Sequence, residues 1–240
     1  MAERAAIVTG ASSGIGLAIA KMLGAEGYGL TVAARKSEKL AQAADELRSA
    51  GYEVESVAGA LGDEDQVKAV VAAHRDRFGR CDILVNNAGV GIGAPAGDIR
   101  TKYLDMQLGV NLRAVILFYR EALDMLRQAG SEHRNALVVN TSSIAGKSGQ
   151  GWLSVYSATK AAVIGYTQAM NKELNGDGIK SVALCPGFVD TNMTDFVREQ
   201  VPQEEMIRPE DIAEMVRALL RLSHACVVPE IVFQRPGETL

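Results

Sequence analysis

The sequence predicts an α/β protein: a doubly wound parallel sheet of about seven strands between two helical layers, a three-layer α/β/α arrangement. Three observations carry that expectation. Short apolar runs alternate with longer helical patterns along the whole 240-residue chain, which implies βαβ units joined by crossovers. Hydrophobic residues make up 48% of the chain but aromatics only 5%, so the core must be built from Ala, Val, Ile and Leu, as in strands buried on both faces. No repeat, low-complexity tract or Pro/Gly/Ser linker divides residues 1–240, a length that suits one large domain with a sizeable core.

The first strand-like run is AAIVT (5–9), and it leads directly into TGASSGIG (9–16). Gly10, Gly14 and Gly16 stand in a GxxxGxG spacing, different from the usual GxGxxG but with the same physics. Glycines let the backbone turn tightly and approach a pyrophosphate, while a helix over 15–26 offers free N–H groups and a positive dipole end. GLTVAA (29–34) and EVESVA (53–58) are the next strands, and Arg35 and Lys36 follow the second. DEDQVKAVVAAHRDRF (63–78) reads as a helix. Asp63 and Gln66 have capping-box spacing, and Val67, Val70, Val71, His74 and Phe78 form one stripe. DILVNN (82–87), ALVVNT (136–141), KSVALC (180–185) and EIVFQ (230–234) complete the strands. Asn111 interrupts the apolar helix DMQLGVNLRAVILF, where an amide needs a reason. A last helix opens on Pro209 and turns Ile212, Val216, Leu219 and Leu220 inward.

VYSATKAAV (155–163) sets Tyr156 and Lys160 four residues apart. On a helix these positions share a face, so phenol and ammonium can meet over one spot. Ligands on open parallel sheets bind at the carboxyl ends of the strands, near the point where strand order reverses. The glycine-rich stretch and NNAG (86–89) both follow strands.

A net charge of −4 and a pI near 5.5 argue against a nucleic-acid partner. Cys81, Cys185 and Cys226 are far apart, odd in number and without metal-ligand spacing, so reduced structural thiols and no metal are expected. MAERAAIVTG has no signal-peptide core, and no run approaches the ~18 apolar residues of a membrane span. The expectation is a soluble, cytoplasmic protein with no membrane partner.

Taken together, TGASSGIG, NNAG, Asn111, NTSSIAG (140–146), YSATK (156–160) and PGFVDT (186–191) occur in the order of the short-chain dehydrogenase/reductase (SDR) family, which the chain resembles over nearly its whole length. The resemblance implies a single-domain Rossmann fold that interconverts a carbonyl and a secondary alcohol with a nicotinamide cofactor. Tyr156 would be the general acid or base, Lys160 its electrostatic tuner and a ribose ligand, Ser143 the substrate-orienting hydroxyl, and Asn111 the holder of a water that passes protons to the lysine. Cofactor contacts fall on Gly10, Ser12, Ser13, Gly14, Ile15 and Gly16, on Asn87, Ala88 and Gly89, and on Pro186, Gly187, Val189 and Thr191.

Ala34 stands where NAD-preferring relatives carry an acidic residue, so Arg35 and Lys36 favour NADP(H) over NAD(H). Ala60 replaces an Asp that many relatives direct at the adenine, leaving Asp63 as a substitute or the adenine more loosely held. The substrate would be a small carbonyl or alcohol, walled by Ile144, Trp152 and Phe188 with Ser143 and Tyr156, beneath a lid over 188–208. Relatives pair helices near 102–128 and 152–175, implying a homodimer or homotetramer. A 3-oxoacyl-thioester reductase is the alternative activity, and an NADP(H)-sensing regulator without turnover the alternative class.

Overall fold

The structure is a computed structural model describing residues 2–237. Its strands are β1 (Arg4–Thr9), β2 (Tyr28–Ala34), β3 (Val54–Ala58), β4 (Ile83–Asn86), β5 (Ala136–Thr141), β6 (Ile179–Pro186) and β7 (Glu230–Phe233). All pair in parallel in the order β3-β2-β1-β4-β5-β6-β7, so the expected seven-stranded doubly wound sheet is present. The helices are α1 (Gly14–Ala25), α2 (Ser37–Ser49), α3 (Glu64–Phe78), α4 (Thr101–Leu108), α5 (Ala114–His133), α6 (Ser154–Leu174) and α7 (Pro209–Leu220). Among the described residues, none is long and apolar enough to cross a membrane.

Side-chain alternation along the strands divides the core in two. Ala6, Val8, Ile83, Val85, Leu137 and Val139 face one layer, packed by α1, α2 and α7. Ile7, Leu84, Ala136 and Val138 face the other, packed by α3, α5 and α6. Central strands are buried along almost every residue, whereas edge strands β3 and β7 are only partly covered. Near-continuous apolar runs are therefore central strands, as the sequence indicates.

Local signals account for most helix boundaries. Asp63 Oδ1 accepts from the N–H groups of Asp65 at 2.8 Å and Gln66 at 3.2 Å, and Gly79 closes α3 at φ 70°. The capping box is only half formed. Asp63 N–H goes to the Ala60 carbonyl at 2.8 Å, and the Gln66 side chain lies over Gly59 instead. His74 sits inside the α3 stripe as a core residue; its Nδ1 meets the Thr31 hydroxyl at 2.8 Å, and burial lowers its pKa to about 4. Cys81 and Cys185 are buried free thiols. Helix α2, whose bounds the sequence patterns above do not mark, buries Leu40, Ala43, Ala44 and Leu47.

At the end of the sheet away from the glycine-rich turn, one carboxylate ties β1 to β4. Asp82 accepts from Ala5 N–H at 2.8 Å, from Arg80 at 2.9 and 2.6 Å, and lies 3.0 Å from His133 Nε2. Burial pushes its pKa up, but the bonds from Arg80, Ala5 and His133 outweigh that and leave it below the ordinary carboxylate value. A depressed acid stabilises the fold above its unfolded pKa and loses that contribution as pH falls through the folded one. Asp82→Asn should therefore destabilise the protein by about 3 kcal/mol at neutral pH, the scale of a broken buried pair. Urea unfolding at several pH values should show the gap constant at neutral pH and shrinking below about pH 4.

Candidate active site

The site grows from the turn between β1 and α1. Gly10 has φ 67° and Gly16 packs so closely behind it that a Cβ would lie 2.4 Å from the Gly10 carbonyl oxygen and 2.5 Å from Asn87 Nδ2. The backbone can enter this turn only with glycine at both places. Ser13 is the N-cap of α1, yet its side chain makes no capping bond and the first turn carries no acidic residue. The leading N–H groups of α1 thus remain open toward an anion, in the arrangement that suits a pyrophosphate. A cavity of about 260 Å³ opens beside the turn, lined in part by Ser13, Gly14, Thr191, Asn192 and Arg198. Arg35 and Lys36, directly after β2, are exposed; the Lys36 carbonyl accepts from Leu40 N–H at 3.0 Å, and neither side chain pairs with a described residue.

NNAG is first of all architecture. Asn87 Nδ2 donates to the carbonyls of Thr9 at 3.2 Å and Gly10 at 3.4 Å, and its Oδ1 accepts from the Thr141 hydroxyl at 3.2 Å. Asn86 instead turns into the core, donating to Asn140 Oδ1 at 2.9 Å. Asn140 in turn donates to the Tyr119 hydroxyl at 3.0 Å and the Thr167 hydroxyl at 2.9 Å, linking β4 and β5 to α5 and α6.

Asn111 lies in a five-residue π-helical turn, Gly109–Arg113, between α4 and α5. Such turns insert an extra residue and recur at functional sites. Its side chain takes the N–H of Val90 at 2.8 Å and donates to the Val90 carbonyl at 2.9 Å and Thr159 Oγ1 at 3.1 Å. Both amide hydrogens are committed to protein. Gln107, one turn earlier and buried, accepts from Ile92 N–H at 3.2 Å. The two amides therefore hold alternate residues of the 90–92 segment like an edge strand. Sequence reasoning passes over Gln107; a second amide four residues before Asn111 in an apolar helix is the available signal.

Tyr156, Lys160 and Ser143 are brought together as expected, on α6 and the end of β5. Ser142 clamps α6 by donating to the Lys160 carbonyl at 2.8 Å. Ser143 Oγ accepts from Ala145 N–H at 3.1 Å and is within reach of the phenol. Burial raises the Tyr156 pKa, and the Ser143 hydroxyl pulls it partly back. The expected lowering by Lys160 does not operate in this arrangement. The ammonium lies 5.6 Å from the centre of the Tyr156 ring, beside its face, and donates to the Thr141 carbonyl at 2.7 Å. Only 3% exposed, Lys160 has its own pKa lowered by burial to about 8.

The segment after β6 folds back as an extended bridge, Val189 pairing with Ile207, with Pro186 and Gly187 ahead of it. Thr191 caps a short helical turn over Asn192–Val197 and stands against Gly14, where a Cβ would come within 2.8 Å of its methyl. Phe188 packs with Val197, Val201 and Met206 and under Arg235, an internal packing role within 188–208. Ile144 is partly buried beside Ser143, while Trp152 is 54% exposed. Asp63, the substitute considered for Ala60, spends one carboxylate oxygen on the α3 cap.

An open glycine turn at the reversal of a parallel sheet, with a phenol and an ammonium beside it, defines a dinucleotide-dependent enzyme. A model of the short chain dehydrogenase family matches residues 4–202. The putative ketoacyl reductase 1 of the granaticin polyketide synthase of Streptomyces violaceoruber is 41% identical over 213 residues, 85% of this chain and 76% of that protein. An actinorhodin polyketide ketoreductase variant with NADPH matches with a TM-score of 0.88 at 33% identity, covering 97% of each chain. An alcohol dehydrogenase of the archaeon Thermococcus sibiricus, complexed with 5-hydroxy-NADP, matches at 0.86 and 30%, covering 98% of this chain and 99% of that one. The chain belongs to the short-chain dehydrogenase family and is an NAD(P)-dependent oxidoreductase.

A lysine whose folded pKa is depressed favours folding in its neutral form, so its contribution is lost as pH falls through about 8. Compared with Lys160→Met, the wild type without cofactor should gain stability as pH rises from about 8 past the ordinary lysine value of about 10.4. Chemical denaturation across that range reads the difference, and a gap flat with pH would contradict it.

Proposed function

We propose that the protein is an NADP(H)-dependent reductase that interconverts a carbonyl and a secondary alcohol, acting on a small-molecule substrate. The observation that carries this reading is the gathering of the Tyr156 phenol, the Ser143 hydroxyl and the Lys160 ammonium, with the lysine joined to the glycine turn through Thr141 and Asn87. A pure cofactor sensor would have no use for a positioned phenol.

The residues present fit the cofactor. Gly10, Ser12, Ser13, Gly14, Ile15 and Gly16 would hold the pyrophosphate, since the first turn of α1 has no cap of its own. Arg35 and Lys36, whose side chains pair with none of the described residues, would take a 2′-phosphate, which supports NADP(H). The matched solved structures bound to NADP or NADPH support the same preference. Asn87, Ala88 and Gly89 would lie along the adenine-side ribose, and Pro186, Gly187, Val189 and Thr191 around the nicotinamide. When bound, the cofactor supplies the hydride and, once oxidised, a positive charge near the phenol.

The remaining work falls to the chain. Ser143 orients the substrate oxygen, and Tyr156 holds the proton that the new alkoxide needs. Lys160, whose pKa burial lowers to about 8, would bond the ribose and, together with the positive charge of the oxidised cofactor, would favour ionisation of the phenol in the bound state. Asn111 braces the 90–92 wall through Val90, and its π-helical turn is the place for the water relay to Lys160. The 188–208 segment serves as the lid of a single domain.

A 3-oxoacyl-thioester reductase is the second reading, favoured by the ketoacyl reductase relatives. The nearby basic side chains Lys147 and Arg198 are paired with Glu230 and with Asp190 and Asp195 and so are not free to meet an acidic carrier. Assembly as a homodimer or homotetramer is supported by exposed Leu108 and Ile116 and by small exposed residues on α6, including Ala161, Gly165 and Ala169. Light scattering on the purified protein tests it.

NADPH oxidation across parallel panels of free ketones and acyl thioesters tests the activity. Tyr156→Phe should lower turnover at least ~10²-fold with NADPH affinity little changed. Near-full activity in that variant would remove the mechanism. Arg35→Ala should weaken NADPH roughly tenfold or more while sparing NADH, by the loss of a charge-assisted bond. Equal losses for both cofactors would show that Arg35 only supports its loop.

A further inference from the structure

Trp152 occupies the most unusual backbone position of the site. At φ 67° it is one of two non-glycine residues with positive φ among those described, and for a bulky side chain that is an outlier. Gly149 and Gly151 stand in open space in the same loop and would adopt this conformation freely, yet both keep ordinary φ. The strain falls on the tryptophan. Burial does not explain it, because 54% of the residue stays exposed.

The conformation presents the indole rather than hiding it. The Trp152 carbonyl accepts from Ala94 N–H at 2.8 Å, which fixes the turn against the 90–94 segment. One indole face rests on Gly93, where an added Cβ would lie 2.4–2.5 Å from three ring atoms. On the lid side stands Phe196, 56% exposed, its ring centre 6.2 Å from the indole and inclined by 53°. Aromatic groups prefer such offset or tilted partners.

The same segment links this pair to the chemistry. Gly91 faces the Tyr156 ring, where an added Cβ would stand 3.7 Å from it, and Gly93 two residues on faces Trp152. Two residues of extended chain span roughly 6–7 Å. Asn111 and Gln107 pin Val90 and Ile92 between them, so the spacing is rigid. Resting on the carbonyl-reductase reading, we infer that the substrate is an aryl-alkyl ketone: its carbonyl meets Tyr156 while a flat aromatic ring, two or three bonds away, lies against Trp152 and Phe196. Trp152 is then the residue that selects the substrate.

The matched probes are benzylacetone, its cyclohexyl analogue, and methyl ethyl ketone, which lacks a ring. Benzylacetone should have the highest kcat/KM. Trp152→Ala should cut its advantage over methyl ethyl ketone about tenfold, the scale of an aromatic contact, with Trp152→Phe retaining most of it. Gly93→Ala, whose Cβ would push the indole off its seat, should erode the same ratio with the tryptophan still present. Equal kcat/KM for phenyl and cyclohexyl probes, or a ratio unmoved by Trp152→Ala, overturns the proposal.

Because Trp152 is the only tryptophan in the chain, its fluorescence reads ring binding without turnover. In Tyr156→Phe with NADPH, the alcohol made from benzylacetone should perturb the emission saturably, and the alcohol from methyl ethyl ketone should not. That response would persist even if no ketone were reduced, which separates failure of the ring site from failure of the reductase reading. Emission indifferent to the aryl alcohol overturns the ring site.

Discussion

Asn87 joins the three strand ends on which the site is built. Its amide nitrogen holds the carbonyls of Thr9 and Gly10 at the end of β1, and its oxygen holds the hydroxyl of Thr141 at the end of β5. The Thr141 carbonyl then accepts from Lys160 at 2.7 Å. A single line of hydrogen bonds thus runs from the glycine turn to the lysine beside the phenol. The cradle and the chemical group cannot shift independently, which is what orientation of two reacting partners requires. Thr9 tightens the junction further, because its hydroxyl donates to the Val85 carbonyl and accepts from the N–H groups of Asn87 and Ala88.

Around that line the protein keeps polar groups buried and, Asn86 Oδ1 apart, hydrogen-bonded on the site side of the sheet. The ring of Asn86, Asn140, Tyr119, Thr167 and Ser181 ties strands to helices by side-chain bonds where apolar contacts alone would allow sliding. Lys160 is the exception in character: its carbonyl partner provides no opposite charge, so burial outweighs the smaller opposing pull of Cys185 and lowers its pKa. Tyr156 carries the complementary burden, since the same enclosure disfavours the phenolate. Both groups are held in states that an added nearby charge would change.

Much of this was legible in the sequence because it rests on local rules. Runs such as AAIVT and ALVVNT are strands because they are apolar throughout, and the glycine spacing of TGASSGIG announces a turn that side chains cannot enter. Pro209 opens α7 and Asp63 caps α3 as their residue types require. The i, i+4 spacing of Tyr156 and Lys160 does place both at one spot. Helix α2 carries a Leu40–Ala44–Leu47 stripe of the same local kind, short enough to be passed over between two strands.

What the sequence by itself determined was the sheet, the glycine turn, the order of the motifs and the residue types at the site, because each follows from periodicity, backbone freedom or near-neighbour spacing. Tertiary structure alone decided where polar groups would find partners. Asn111 spends its amide on Val90 and Thr159, Gln107 joins it on Ile92, and the Lys160 ammonium turns to the Thr141 carbonyl rather than to the phenol oxygen. It also decided that Phe188 would pack within the lid and that Trp152 would face outward on a left-handed backbone. Hydrogen-bond partners and ionisation depend on what distant segments bring to within a few ångströms, and linear spacing does not carry that information.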